Sequence, residues 1–239
     1  IKLVQEAAQY GKLRQVLIRE SLWITKWQEK PENEIAAEFS GNERHVGVDV
    51  VPDDLFDQVA DTVTPQGTLG MVDMPVYSLE EILNSRSRLY LMLDDLRDPG
   101  NLGTMIRTSE AAGVAGVIMS KGTVDLFNPK VVRATMGAIF RVPFIYVDSL
   151  PETIMQMRKK EISVYGTILE ESMVYDDPDY TKPSAVVVGN EANGISREVR
   201  ESLSGRIHIP MEGSVESLNA AVAAAVVLYE ASRQRRKTD

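Results

Sequence analysis

A chain of 239 residues is long enough for one large domain or two modest ones, and 44% hydrophobic against 26% charged side chains excludes a disordered polymer. The complete lack of cysteine removes disulfides, thiolate metal sites and cysteine nucleophiles together, and fits a reducing compartment. The formal charge of −9 weighs against a nucleic-acid partner, because phosphate binding draws on Lys and Arg.

That charge is unevenly spread. Residues 1–88 carry 9 basic and 15 acidic side chains, leaving 17 and 20 for residues 89–239, where a basic face has room to form. His45 and His208 stand far apart in unrelated contexts, so no metal site is expected. No run reaches the ~18 uncharged apolar residues of a membrane span; the longest, Leu218 to Tyr229, is shorter and alanine-rich. Ile1, not methionine, opens the chain inside a helical pattern, so the start of the protein is expected upstream.

In chain order, Ile1–Tyr10 reads as helix, Arg14–Ile18 and Val46–Val51 as strands, and Pro52 opens a helix through Val59. A turn at Thr64–Gly67 precedes a strand at Thr68–Val72. Residues 1–75 are thus a small α/β module with no Gly-rich loop. The 76–88 segment, VYSLEEILNSRSR, reads as a linker with a short helix. In residues 89–239 strands are expected at Leu89–Leu93, Gly116–Met119, Phe144–Val147, Ser163–Thr167, Ala185–Val188 and Arg206–Ile209. Helices are expected at Asn101–Ala112, Pro129–Gly137, Pro151–Lys160, Ser196–Ser202 and Ser217–Arg235. Regular alternation, with an apolar run at Ala185–Val188, predicts a parallel sheet covered by helices.

Three segments carry chemistry. In LDDLRDPGNLGTMIRTSEAAG (93–113) a strand ends in two aspartates, a Pro-Gly turn follows, and Asn101 can cap a helix that carries Arg107 about two turns in. A helix N-terminus and a forked guanidinium suit phosphate, while the same pattern describes a plain strand–turn–helix with a solvated arginine. In VVVGNEANGIS (186–196) a buried strand runs into a loop with Gly189 and Gly194, where Asn190, Glu191 and Asn193 stand outside the carboxyl end of a parallel strand. In IHIPMEGSVESLNAAVAAAVVLYE (207–230) a strand, a Gly-Ser loop and a cap at Ser217 lead into a helix with no solvated face, to be buried in the core or against a partner chain.

At these residues the sequence resembles the SpoU (TrmH-type) RNA 2′-O-ribose methyltransferases of the SPOUT superfamily, whose three motifs look like PGNLGTMIRTSEAAG, GNEANGIS and IPMEGSVESLNAAVAAAVVLYE. The likeness spans residues 89–239, and residues 1–75 resemble the L30e-like substrate-binding domain of many members. It implies an α/β sheet threaded into a trefoil knot, which topology rules alone would argue against. It further implies S-adenosylmethionine as cofactor, a cytoplasmic homodimer joined through the C-terminal helix, and an RNA partner, ribosomal before transfer RNA. Carried over, Arg107, Asn101, Glu191, Ser217 and Asn219 are the catalytic candidates. Thr167, Gly189, Asn190, Gly194, Ile209 and Leu218 are the cofactor-binding ones.

A guanidinium keeps its proton above pH ~12, so Arg107 is a poor base. Either a neighbouring phosphate takes the proton while Arg107 orients it, or the site depresses the arginine. Lys130, Arg133, Arg141 and the Arg233–Lys237 tail are candidate phosphate contacts, and each is also explained as a solvated charge. A Rossmann-type methyltransferase expects a GxGxG-like loop after its first strand, where this chain has DDLRDPGN. A phosphotransferase lacks its GxxxxGK[ST] loop here. A catalytically silent RNA-binding dimer of the same fold is the remaining alternative.

Overall fold

The computed structural model describes residues 1–30, 32–39, 46–60, 62, 64–215 and 217–236; His45 and Lys237 lie outside the described residues. The chain divides into two compact units, Ile1–Val76 and Tyr77–Asp239.

In the first unit the order is α1 (Lys2–Gln9), β1 (Leu13–Arg19), α2 (Glu20–Lys26), α3 (Glu32–Phe39), β2 (Gly47–Val51), α4 (Asp53–Val59) and β3 (Thr68–Val72). β1 is central, parallel to β2 and antiparallel to β3. Val16 and Ile18 alternate into a core completed by Trp27, Phe39 and Phe56. The Trp27 indole stacks at a tilt 6.0 Å from Phe39 and donates Nε1–H to Glu38 at 2.8 Å, so its polar edge is satisfied inside the core. Helices α2 and α3 were not foreseen. α3 is held by packing, with Ile35 and Phe39 buried one turn apart, whereas α2 buries none of its residues, so neither carries an apolar stripe long enough to read in sequence.

The second unit runs α5 (Leu79–Leu83), β4 (Leu89–Asp94), α6 (Pro99–Ala111), β5 (Gly116–Ser120), α7 (Pro129–Ala134), β6 (Phe144–Val147), α8 (Leu150–Lys159), β7 (Ser163–Thr167), β8 (Met173–Val174), β9 (Ser184–Gly189), α9 (Arg197–Ser202), β10 (Gly205–His208) and α10 (Ala220–Arg235). Its seven strands form one sheet in the order β6-β5-β4-β9-β7-β10-β8, and every pair is parallel. The predicted strands recur within one residue at each end; the two-residue β8 was missed, being too short to show a period.

All side chains of β4 and β9 are buried, and they alternate between two cores. Leu89, Leu91, Leu93, Val186 and Val188 face α6 and α10; Tyr90, Met92, Ala185 and Val187 face α8 and α9. Helices therefore cover both faces, as a sheet of continuous apolar strands requires. In α5, Ser78 and Glu81 form a reciprocal capping box, and Ile82 and Leu83 join the second core.

Two expected caps are corrected. Asn101 does not cap α6: Asp98 does, its Oδ1 accepting the Asn101 backbone N–H at 2.7 Å, because Pro99 takes the first helical position and needs no partner. Ser217 does not cap α10. Asn219 does, accepting from the N–H groups of Ala221 at 2.9 Å and Val222 at 3.3 Å.

Candidate active site

The carboxyl ends of β4, β9, β7 and β10 lie in one row. Asp94 pairs in register with Gly189, Gly166 with Val187, and Ile207 with Thr167. The loops leaving these strands therefore meet at one edge, the usual ligand position in an open parallel sheet. There they enclose a cavity of about 610 Å³, large enough for a drug-sized molecule. Its wall includes the ends of β7 and β9, the 189–195 loop, Ile209 beyond β10, and the Ser217–Ala220 entry to α10.

The 189–195 loop is shaped by its own side chains. Asn190 and Gly194 exchange both backbone hydrogen bonds, at 3.0 and 2.8 Å, with Gly194 at φ +66°. Asn190 Oδ1 accepts the N–H groups of Ala192 and Asn193, and its Nδ2 donates to the Asp95 carbonyl at 2.8 Å. A Cβ at position 189 would land in the backbone of Gly194 and Ile195, so the loop closes only over glycine. The far end is held by Asp94, whose Oδ2 accepts the Ser196 N–H at 2.7 Å.

A second network ties this loop to both other segments. Glu191 Oε1 accepts the Asp98 N–H at 3.0 Å and Asn101 Nδ2 at 2.9 Å, while Oε2 accepts the Arg97 N–H at 3.1 Å. Asn101 Oδ1 in turn accepts Nδ2 of Asn219 at 2.9 Å. Burial pushes the Glu191 carboxyl up. The hydrogen bonds from Asn101, the Arg97 backbone, its own N–H and the Asp98 backbone outweigh this and hold it below the usual carboxylate range.

All six cofactor-binding candidates, Thr167, Gly189, Asn190, Gly194, Ile209 and Leu218, line the cavity, as do Glu191, Ser217 and Asn219. Asn101 lies outside its wall but touches it through Glu191 and Asn219. Arg107 is not in the wall. It is exposed on α6, and no side-chain partner is found for it among the described residues. Lys130 and Arg133 are likewise exposed on α7. Arg141 is different: it forms an ion pair with Glu110 at 2.6 Å and is mostly covered. In the tail, Arg233 pairs with Glu230, and Arg235 donates to the carbonyls of Arg88 and Lys182. These three arginines are engaged within the unit rather than free for phosphate.

Three contributors were not read as site residues: Asp98, which caps α6, and His208 and Arg200, which line the cavity; Asp94 was read only as the end of a strand. The Asp-Pro pair at 98–99 is a legible cap signal; the others act through partners that only folding brings near.

The SpoU rRNA Methylase family model matches residues 88–229, which contain the entire cavity. The chain belongs to the SpoU rRNA methylase family. It is 37% identical over 180 residues to the 23S rRNA (guanosine(2553)-2′-O)-methyltransferase RlmP of Bacillus subtilis, covering 75% of this chain and 70% of that one. It is 32% identical over 217 residues to the 23S rRNA (uridine(2479)-2′-O)-methyltransferase of Streptomyces viridochromogenes, covering 89% and 73%. Among solved structures, the SpoU methyltransferase AviRb of S. viridochromogenes in complex with AdoMet superposes with a TM-score of 0.80 at 29% identity, over 98% of this chain and 88% of that one.

The cavity fits such a donor on its own terms. Gly189 and Gly194 bring bare backbone to the wall, which otherwise mixes apolar side chains with polar groups.

Proposed function

We propose that this S-adenosylmethionine-dependent RNA methyltransferase modifies a ribose 2′-hydroxyl of ribosomal RNA. The observation that carries the reading is convergence: the 189–195 loop, the exit of β10 and the start of α10 share one cavity, and the Glu191–Asn101–Asn219 chain locks them to α6. Bound there, S-adenosylmethionine supplies an electrophilic methyl. Gly189, Gly194, Ile209 and Leu218 would hold it largely through backbone, with Thr167 and Asn190 adjoining.

The chain's own task is to align the hydroxyl and manage its proton. Glu191 is unsuited as the base, because its carboxylate already accepts three donors from other residues and is held below its ordinary range. It acts as a tie, as do Asn101 and Asn219. Arg107, exposed and without a side-chain partner among the described residues, is suited to grip an RNA phosphate at two points and orient it as proton acceptor. Ser217, exposed at the cavity wall, is placed to meet the incoming ribose. Lys130 and Arg133 offer further phosphate contacts.

Three structural features complete the reading. The stretch after β10 is threaded as a trefoil knot, supported by the return of α10 onto α6 and β9 at the middle of the sheet. Residues 1–75 are an L30e-like RNA-binding domain joined by residues 76–88, supported by a structural likeness that extends over 98% of the chain. The enzyme works in the cytoplasm as a homodimer through α10, where Val222 and Tyr229 leave an apolar stripe half exposed.

Mapping 2′-O-methylation across total RNA from a strain lacking the gene tests the substrate. Loss of one ribosomal methyl is expected; an unchanged ribosomal map with a lost transfer-RNA methyl would reassign the substrate. Arg107→Lys replaces a fork by a point charge and should cost at least ~2 kcal/mol of barrier, over tenfold in rate. Near-normal turnover in that variant would sink phosphate gripping.

A further inference from the structure

A second cavity, of about 400 Å³, opens beside the first and is lined by Glu171, Met173, Arg200, Glu201, Leu203, Ser204, Gly205 and Arg206. Arg200 is the single residue common to both walls. It is partly buried on α9, donates Nε–H to the Ile195 carbonyl at 2.7 Å, and sets its Nη2 beside Gly194. No ion pair engages it among the described residues, whereas the cations around it are paired, Arg197 with Glu201 and Arg206 with Glu171.

We infer that Arg200 is a positioning residue for the methyl donor: it pins the distal half of the 189–195 loop and walls off the second cavity. This rests on the donor-binding reading above. The loop has two halves with different supports. Asn190 and Glu191 anchor the proximal half through the Asp95 carbonyl and the Arg97, Asp98 and Asn101 donors. At the distal end the Ile195 carbonyl faces Arg200. That arginine stands on a fixed base, because α9 is tied at its start by Asp94 through Ser196 N–H and at its end by Arg158 Nη1 to the Ser202 carbonyl at 3.1 Å. A charged donor on a neutral carbonyl is among the stronger hydrogen bonds, and this one holds Ile195, whose peptide link to Gly194 packs on Gly189. Truncating the side chain is expected to open the wall between the two cavities and leave the Ile195 carbonyl without this donor.

The test uses the full chain and two probes, S-adenosylhomocysteine and 5′-methylthioadenosine, which lacks the amino-acid end, titrated by calorimetry with Arg200→Met and Arg200→Lys. Loop positioning predicts that Arg200→Met weakens both probes alike, by about tenfold or more, at little change in melting temperature. Arg200→Lys, which still offers a charged donor, should recover part of that loss. Equal affinity of wild type and Arg200→Met for both probes overturns the inference. Weakening of S-adenosylhomocysteine alone also overturns it, by making Arg200 a direct carboxylate contact. Should Arg200→Met fail to fold, Arg200→Gln and Arg200→Lys carry the same comparison. Wild type binding neither probe would instead remove the donor reading itself.

Discussion

Asn219 is the residue whose identity the structure explains most fully. Its Oδ1 must accept from two backbone N–H groups to start α10, while its Nδ2 must donate, because Asn101 turns its own amide nitrogen to Glu191 and presents only oxygen. A side chain with one acceptor and one donor at the same reach is needed, and only an amide provides it. Asn219→Ser keeps the cap but is too short to donate to Asn101 as the amide does; Asn219→Ala loses both contacts. Urea unfolding should find the alanine variant about 1 kcal/mol less stable than the serine variant. Methyl transfer should fall to a similar low level in both. Equal stability of the two variants would remove the capping role, and full activity in Asn219→Ser would remove the network's role.

At the scale of elements, the site depends on how closely α6 lies to its neighbours. Gly103, in the first turns of α6, sits where a Cβ would meet Ala134 of α7 and the Val131 carbonyl, so the two helices touch backbone to backbone. α6 also packs against α10. Gly103→Ala should therefore spread α6 from α7 and cost about 1–3 kcal/mol, the usual penalty of overpacking. Differential scanning calorimetry would read this as a lowered transition, and an unchanged melt would mean α7 yields freely. The same packing explains why Pro99 and Asp98, not Asn101, begin the helix: starting it earlier turns Asn101 inward, where it bridges Glu191 and Asn219.

At the scale of the whole molecule, the α10 surface bears on assembly. Ala221, Ala224, Val227, Leu228 and Ala231 face the core, while Val222 and Tyr229, each 48% exposed, lie along the outer side. Seven residues apart, they share one face of a helix. Under the homodimer reading, Val222→Glu or Tyr229→Glu places a charge in a buried interface. Light scattering coupled to gel filtration should then find monomer at concentrations where the unmodified protein is dimeric. Dimers that persist in both variants would move the interface elsewhere.

The order of strands and helices in residues 89–239, and the three loops that end at the sheet's carboxyl edge, were legible along the chain because both are written in local terms. Period-two and period-3.6 patterns, capping residues and glycines act within a few positions of one another. Folding alone decided which loops meet. Glu191 reaches Asn101 across 90 residues and Asn219 reaches Asn101 across 118, through contacts that no local pattern encodes. The spending of the basic residues was also a tertiary matter. Arg141 and Arg107 look alike in sequence, yet one is paired with Glu110 and the other is exposed, because a charge's availability depends on what the fold sets beside it.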